Sequence, residues 1–340
     1  MNHWITPSIL ILALTLLSGS TLASEEVNLY SARKEALIKP LLDTFTKQTG
    51  IKVNLVTGKA KTLLKRLQSE GRNTPADILL TTDAGNLNAA KTAGLLQAID
   101  NTVLTAAVPQ NLRDSDNQWL ALSIRSRVIV YSKERVKASE LSTYEELVNP
   151  KWKKRICIRS SSNIYNQSLL ASLIAHNGVS KAEGWAKGIV ANMAQSPKGN
   201  DRAQVKAVAV GICDIAIINT YYMGVMQEKD ADQQKAASQV SVFFPNQEGR
   251  GAHINISGAG LIKGAKHKEN AIKLLEFLVG DEAQKWYAQA NHEYPVKASI
   301  PVSKIVNAWG YPFKQDNLNV DELGKHNTEA VKIFDRVGWK

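Results

Sequence analysis

The feature that most constrains the fold of this chain is a strand–helix–strand alternation near its beginning. Short apolar runs at 27–30, 51–56 and 77–80 predict strands, and amphipathic segments at 34–48 and 62–69 predict the helices between them. Elements that alternate at this spacing form a parallel α/β sheet. Ligands of such sheets bind beyond the carboxyl ends of the strands, so we expect a binding site there.

A second α/β unit follows, and no Pro- or Ser-rich linker separates it from the first. Its predicted strands lie at 127–131, 155–159 and 214–218, and its predicted helices lie at 141–147 and 165–177. Two further amphipathic helices are predicted late in the chain, at 269–279 and 282–290. Without a linker, the chain is expected to cross between two lobes on strands, at 120–131 and 240–262. Two lobes joined by strand hinges typically close over a ligand held in the cleft between them.

The first 23 residues predict an export signal. The run 9–17 is apolar except for Thr15, and it is too short to span a bilayer. Small residues follow it up to Ala23, where we expect cleavage. We therefore expect a soluble protein exported to the periplasm, with a retained membrane anchor as the alternative.

The formal net charge is +11, and residues 1–23 contain no Lys, Arg, Asp or Glu. A positive excess is compatible with nucleic acid, an anionic membrane surface or an anionic ligand. No nucleic-acid-binding motif is present, and the cations are interspersed with acids along the chain. This pattern favours a general surface charge over a dedicated polyanion-binding run.

The chain contains two cysteines, Cys157 and Cys213, both in strand-like surroundings. In an oxidising compartment an even number of cysteines predicts one disulfide. Two buried, reduced thiols are the alternative that the sequence leaves open. A zinc site built from thiolates is disfavoured by the small number of sulfur atoms.

Three tyrosines follow predicted strands at matched positions. Tyr165 lies eight residues after Cys157, and the pair Tyr221 and Tyr222 begins eight residues after Cys213. A single tyrosine at a strand end is usually packed, with its hydroxyl in water. Three converging phenols have a second use, because phenolate is a hard, charged oxygen donor that suits a trivalent cation such as Fe³⁺.

Several segments of this chain resemble the periplasmic ferric-iron-binding proteins, the receptors of bacterial Fe³⁺ ABC transporters. The matching stretches lie at 28–33, 56–59, 75–79, 160–167, 211–214, 219–222 and 293–296. The segments around Tyr165 and the pair Tyr221–Tyr222 are specific to these proteins. The strand at 75–79 is shared with binding proteins for other solutes.

The resemblance implies an α/β architecture of the type II periplasmic-binding-protein fold, and it implies a binding protein rather than an enzyme. The N-terminal lobe would comprise 24–124 with 250–299, and the C-terminal lobe 125–249 with 300–340. Tyr165, Tyr221 and Tyr222 would bind Fe³⁺, and an inner-membrane ABC permease would receive it. A monomer is expected, with no nucleic acid among its partners.

One segment departs from the family pattern. Relatives often complete the metal site with a His-Tyr pair, where this chain has Lys34 and Glu35. Glu35 could ligate the metal or be a solvated acid at the start of a helix. If it does not ligate, the resemblance implies an anion such as carbonate, for which Arg33 and Arg127 are candidate partners. An inter-lobe salt bridge is the alternative for each arginine.

Two other functions remain open from the sequence. The same fold could bind an oxyanion, a polyamine or another metal chelate, although this would leave the tyrosine pair unexplained. A secreted hydrolase is disfavoured, because no G-x-S-x-G motif is present and no histidine lies at a suitable spacing from a nucleophile.

Overall fold

The computed structural model describes residues 25–340, so the predicted export signal lies outside the described residues. The strands are β1 Glu26–Ser31, β2 Lys52–Thr57, β3 Ile78–Thr82, β4 Leu96–Gln97, β5 Trp119–Ser132, β6 Ile156–Cys157, β7 Ile215–Asn219, β8 Val240–Phe243 and β9 Ile254–Ile262. The helices are α1 Lys39–Thr49, α2 Ala60–Glu70, α3 Ala84–Thr92, α4 Thr102–Ala107, α5 Ile164–Asn177, α6 Val179–Asn192, α7 Asp201–Ala209, α8 Thr220–Glu228, α9 Ala231–Ser238, α10 Lys268–Val279, α11 Asp281–Ala290, α12 Lys304–Asn307, α13 Asp321–Lys325 and α14 Asn327–Arg336. Between residues 25 and 340, no helix has the length and apolar character needed to cross a membrane.

The first α/β unit forms as the alternation predicts. β1 lies between β2 and β3 and is parallel to both, which brings the carboxyl ends of all three strands to one edge. Helix α1 buries Leu41, Leu42 and Phe45, and it ends where Gly50 adopts a left-handed conformation with φ 76°. That conformation is favourable for glycine because it has no Cβ.

The long strand β5 connects the two halves of the sheet. Residues 119–126 of β5 pair with the antiparallel strand β9, which also pairs with β3. The remainder of β5 pairs with β7 on one side and β8 on the other. The segments 120–131 and 240–262, predicted as crossings, therefore contain β5, β8 and β9, the strands that join the two halves.

The second half has its own apolar core around α5. The stripe predicted on this helix, Leu169, Leu170, Leu173 and Ile174, is buried against Trp152 and Trp185. Helix α5 begins at Ile164, where the side chain of Asn163 accepts a hydrogen bond from the backbone N–H of Tyr165. This cap fixes the first turn of α5, and therefore the position of Tyr165.

The helix predicted at 141–147 is wrong. This region contains a short 3₁₀ turn at Glu145–Val148 instead. The backbone of Tyr144 is bound from outside the segment, because its N–H donates to Asn246 and its carbonyl accepts from the indole of Trp185. These tertiary hydrogen bonds replace the bonds that a regular helix would make. The strand predicted at 155–159 is also shorter and covers Ile156–Cys157.

Cys157 and Cys213 form the predicted disulfide, with an S–S distance of 2.01 Å and a sequence separation of 56 residues. It joins the end of β6 to the segment that leads into β7. A loop of this length predicts a stabilisation of about 4 kcal/mol from the loss of chain entropy in the unfolded state.

Candidate functional site

The three tyrosines lie together in one cavity. Tyr165 is in the first turn of α5, and Tyr221 and Tyr222 are in the first turn of α8, directly after β7 ends at Asn219. The hydroxyl oxygens of Tyr165 and Tyr221 are 3.4 Å apart. The ring centroids of Tyr221 and Tyr222 are 4.3 Å apart. Because the strand has ended, these two adjacent side chains do not point to opposite faces of a sheet.

The cavity has a volume of about 500 Å³ and is lined from both halves of the protein. Its lining includes the three phenols, the cations Arg33, Lys34, Arg125, Arg202 and Lys229, and the carboxylate Glu293. Positive charge therefore exceeds negative charge around the phenols. Such a lining favours ligands that carry anionic oxygen atoms.

Arginine side chains also contact the faces of the phenol rings. The distances from guanidinium Cζ to ring centroid are 5.5 Å for Arg125 and Tyr221, 6.0 Å for Arg127 and Tyr165, 5.6 Å for Arg159 and Tyr165, and 5.5 Å for Arg202 and Tyr222. Separations of this size are those of cation–π contacts. The same positive charges would stabilise the phenols if they lost their protons.

Buried carboxylates hold these arginines in place. Asp201 is fully buried, and it accepts hydrogen bonds from Arg127 at 3.3 Å and from Arg159 at 2.8 Å. Glu293 accepts from Arg33 at 2.7 Å and also pairs with Arg125. Burial opposes ionisation of Glu293, but Arg33 and Arg125 hold its pKa below the usual range. The arginines are therefore positioned before any ligand arrives.

Tyr221 and Tyr222 are protonated at neutral pH. Burial, with the neighbouring Tyr165 and Tyr222, raises the pKa of Tyr221 well above its ordinary value of about 10. Burial, followed by Tyr165 and Asp201, raises the pKa of Tyr222 to about 12. A ligand that uses these oxygens as phenolates must displace their protons.

The two arginines proposed as anion partners lie in different positions relative to the cavity. Arg33 lies at the cavity wall, where it is bound to Glu293 and Ser257. Arg127 lies behind Tyr165 and is occupied by Asp201 and neighbouring amides. Within the expected lobe boundaries, each of these two ion pairs joins residues of the same lobe.

Glu35 is exposed on a short 3₁₀ turn, and its side chain is not part of the cavity wall. Its neighbour Lys34 does line the cavity, together with Ala36 and Leu37. The departure from the family pattern therefore places a cation where relatives often place a ligand.

Sequence reasoning missed Arg125, Arg159, Arg202 and Lys229. A signal existed for Arg125, which lies two residues before Arg127 on one predicted strand and so shares its face. Arg159 comes directly before the serine-rich segment that follows β6. Arg202 lies in α7 and Lys229 directly follows α8, and no local pattern shows how these two helices are oriented.

The sequence of this chain matches a known protein family and is similar to characterised iron uptake proteins. Residues 73–313 match the family described as bacterial extracellular solute-binding protein. The chain is 50% identical over 317 residues to iron uptake protein A1 of Synechocystis, covering 93% of this chain and 88% of that protein.

Two solved structures match closely in shape. The Trichodesmium protein IdiA (FutA), in complex with iron and citrate ligands, has a TM-score of 0.90 and 52% identity, covering 93% of this chain and all of that one. The apo ferric ion-binding protein A of Pasteurella haemolytica has a TM-score of 0.86 and 44% identity, covering 93% and 98% of the two chains. The predicted type II periplasmic-binding-protein fold is thereby confirmed.

Proposed function

This chain belongs to the family of bacterial extracellular solute-binding proteins, and we propose that its solute is ferric iron held by Tyr165, Tyr221 and Tyr222. The family binds solutes for transport and does not catalyse reactions. The observation that carries the proposal is the convergence of three phenol side chains in one cavity lined from both halves.

The charges of the site suit a trivalent ion. Three phenolates neutralise Fe³⁺, and phenolate is a hard oxygen donor that a hard cation prefers. Between residues 25 and 340, no group of three or more His, Cys, Asp or Glu residues could hold a metal ion. The chain thus offers phenols in place of the nitrogen and sulfur ligands that zinc prefers.

An oxyanion is proposed to complete the coordination of iron. The cavity is lined by five cations and a single carboxylate. The net positive charge favours the binding of an anion such as carbonate or citrate. Lys34, Arg125 and Arg202, which line the cavity, are the cations proposed to contact it. Arg33 is bound to Glu293 at the cavity wall, and Arg127 packs against the ring of Tyr165. Glu35 is then a ligand only if its segment moves toward the cavity.

Export to the periplasm, a monomeric state and delivery to an inner-membrane ABC permease belong to the same proposal. So does the division into lobes 24–124 with 250–299 and 125–249 with 300–340. β5 and β9 pair across the expected boundary between these lobes, which suits a hinge made of strands.

The test is a titration of the iron-free protein with ferric citrate or with ferric ion plus bicarbonate. Ferric phenolate absorbs visible light, so we expect a red to orange complex. Tyr222→Phe keeps the ring and deletes the donor oxygen, and should lower affinity by more than about a hundredfold, the upper cost of losing an outer-shell partner. Tyr131 lies outside this cavity, so Tyr131→Phe is the matched control.

The lining cations also suit an oxyanion bound without a metal, which is the second candidate. That function predicts a colourless complex and no effect of Tyr222→Phe beyond that of the control. Either result would remove ferric iron as the solute.

A further inference from the structure

The positive charge of this chain is concentrated in one stretch. Residues 151–200 contain eight Lys and Arg but a single glutamate, an excess of seven out of the net +11. The expectation that cations are interspersed with acids along the chain is therefore wrong here. The run 151–155 alone contains four cations and no acid.

The four cations of the run 151–155 form a connected surface with Arg135 near the amino ends of β6 and β7. Arg135 and Arg155 both pair with Asp214, at 2.6 Å and 2.5 Å, so one carboxylate faces two guanidinium groups. Arg155 also donates to the carbonyl groups of Lys151 and Arg135. The exposed side chains of Lys153 and Lys154 come from the same short loop. A net positive surface remains after Asp214 is counted.

Two exposed apolar side chains lie beside this surface. Val210 is 73% exposed and Ile212 is 47% exposed, and they flank Gly211 at the tip of the turn that follows α7. A Cβ on Gly211 would lie 3.9 Å from the guanidinium of Arg135, so the turn adjoins the cations directly. Lys206, also exposed, accepts the N–H of Val210 at its carbonyl oxygen.

We use the name basic pole for this surface, which consists of Arg135, Lys151, Lys153, Lys154, Arg155, Lys206, Val210 and Ile212. It lies at the amino ends of β6 and β7, whereas Tyr221 follows the carboxyl end of β7. At about 3.3 Å per residue, the two ends of this strand are roughly 13 Å apart. A partner on the basic pole would therefore leave the tyrosine cavity uncovered.

We propose that the basic pole adsorbs to the surface of an anionic phospholipid bilayer. Clustered Lys and Arg are attracted to anionic headgroups, and nearby apolar side chains can enter the boundary between headgroups and acyl chains. Val210 and Ile212, at the tip of a turn, are the side chains that would enter. A surface charge spread evenly over the molecule would not produce this cluster of cations beside an exposed apolar turn.

A flotation assay with lipid vesicles tests this inference independently of the solute. We expect the protein to bind vesicles of phosphatidylglycerol and phosphatidylcholine in equal parts at low salt, and to leave them at high salt. It should not bind pure phosphatidylcholine vesicles. Because each cation near the surface contributes about fivefold in affinity, Lys153→Glu with Lys154→Glu should weaken binding by at least about 25-fold.

Matched variants separate the basic pole from net charge. Lys273→Glu with Lys285→Glu changes the charge equally on exposed helical positions elsewhere, and should lower binding much less. Val210→Ser with Ile212→Ser should weaken binding, whereas Val103→Ser, at another exposed valine, should not. Unfolding midpoints establish that each variant is folded. Absence of binding by the unmodified protein at low salt, or equal losses in both charge pairs, would overturn the proposal.

Discussion

At the scale of single residues, the proposed site depends on protons that iron must displace. Burial and neighbouring phenols raise the pKa values of Tyr221 and Tyr222, so the iron-free cavity holds neutral hydroxyl groups. The arginines around them are already fixed by Asp201 and Glu293. Binding therefore exchanges protons for a cation inside a preformed positive frame.

This exchange predicts the dependence of iron affinity on pH. Below the raised pKa values each ligating phenol releases one proton on binding, so affinity falls about tenfold per pH unit for each phenol as pH decreases. Tyr221 and Tyr222 together give about a hundredfold per pH unit. Competition with a chelator whose own pH dependence is known measures how the iron affinity changes with pH. Affinity that stays flat down to about pH 4 would indicate carboxylate ligands instead.

Lys34 and Glu35 give a second prediction at this scale. Lys34 lines the cavity and Glu35 does not, so Lys34→Gln should weaken the enhancement of iron binding by citrate or bicarbonate. Glu35→Gln, its immediate neighbour with the opposite charge, should leave both iron affinity and the anion effect nearly unchanged. A loss of more than about a hundredfold for Glu35→Gln would make Glu35 a ligand, because losing an outer-shell group costs at most about that much.

At the scale of secondary-structure elements, the junction between β7 and α8 determines the geometry of the tyrosine pair. The strand ends at Asn219 and the helix begins at Thr220, so both phenols lie in its first turn. Helix α8 is held from behind by His292, whose ring lies within hydrogen-bonding distance of Glu228 and Ser303. A Cβ on Gly224 would lie 2.4 Å from this ring, so α8 approaches as closely as glycine allows.

Gly224→Ala should therefore displace α8 or the His292 ring. We expect a loss of about 1–3 kcal/mol in the free energy of unfolding, as for other overpacked sites, together with weaker iron binding. Gly184→Ala, in the exposed interior of α6 with no atom within 4 Å of the new Cβ, is the control. It should stabilise by about 0.5–1 kcal/mol. A Gly224→Ala protein with unchanged stability and affinity would show that this contact is unimportant.

Elements with strong local patterns were predictable, and those fixed by tertiary contacts were not. The apolar stripe of α5 and the strand before Tyr221 follow from periodicity, but the helix that contains Tyr221 does not. The segment 141–147 has a helical pattern, yet bonds to Asn246 and Trp185 turn it into 3₁₀ structure. Arg202 reaches Tyr222 only because α7 packs near α8, which no local pattern contains.

For the whole molecule, the two halves contribute different groups to one cavity. Arg33 and Lys34 come from the first α/β unit, and the three tyrosines come from the second. A ligand that contacts both groups binds the closed arrangement better than an open one, and so shifts the population toward closure. We expect β5 and β9, which pair where the two halves meet, to act as the hinge of this closure.

Small-angle scattering measures this closure. We expect the radius of gyration to decrease when ferric citrate is added to the iron-free protein, and to change less for Tyr222→Phe at the same iron concentration. An unchanged radius with full iron occupancy would mean that the iron-free protein is already closed.

The central claim is that the phenol oxygens of Tyr165, Tyr221 and Tyr222 bind ferric iron directly. Resonance Raman spectroscopy, with excitation in the visible band of the ferric complex, enhances only vibrations of groups coupled to that transition. We expect enhanced tyrosinate ring modes that weaken in each of the three Tyr→Phe variants and persist in Tyr131→Phe. A ferric complex of full occupancy without enhanced tyrosinate modes would contradict it.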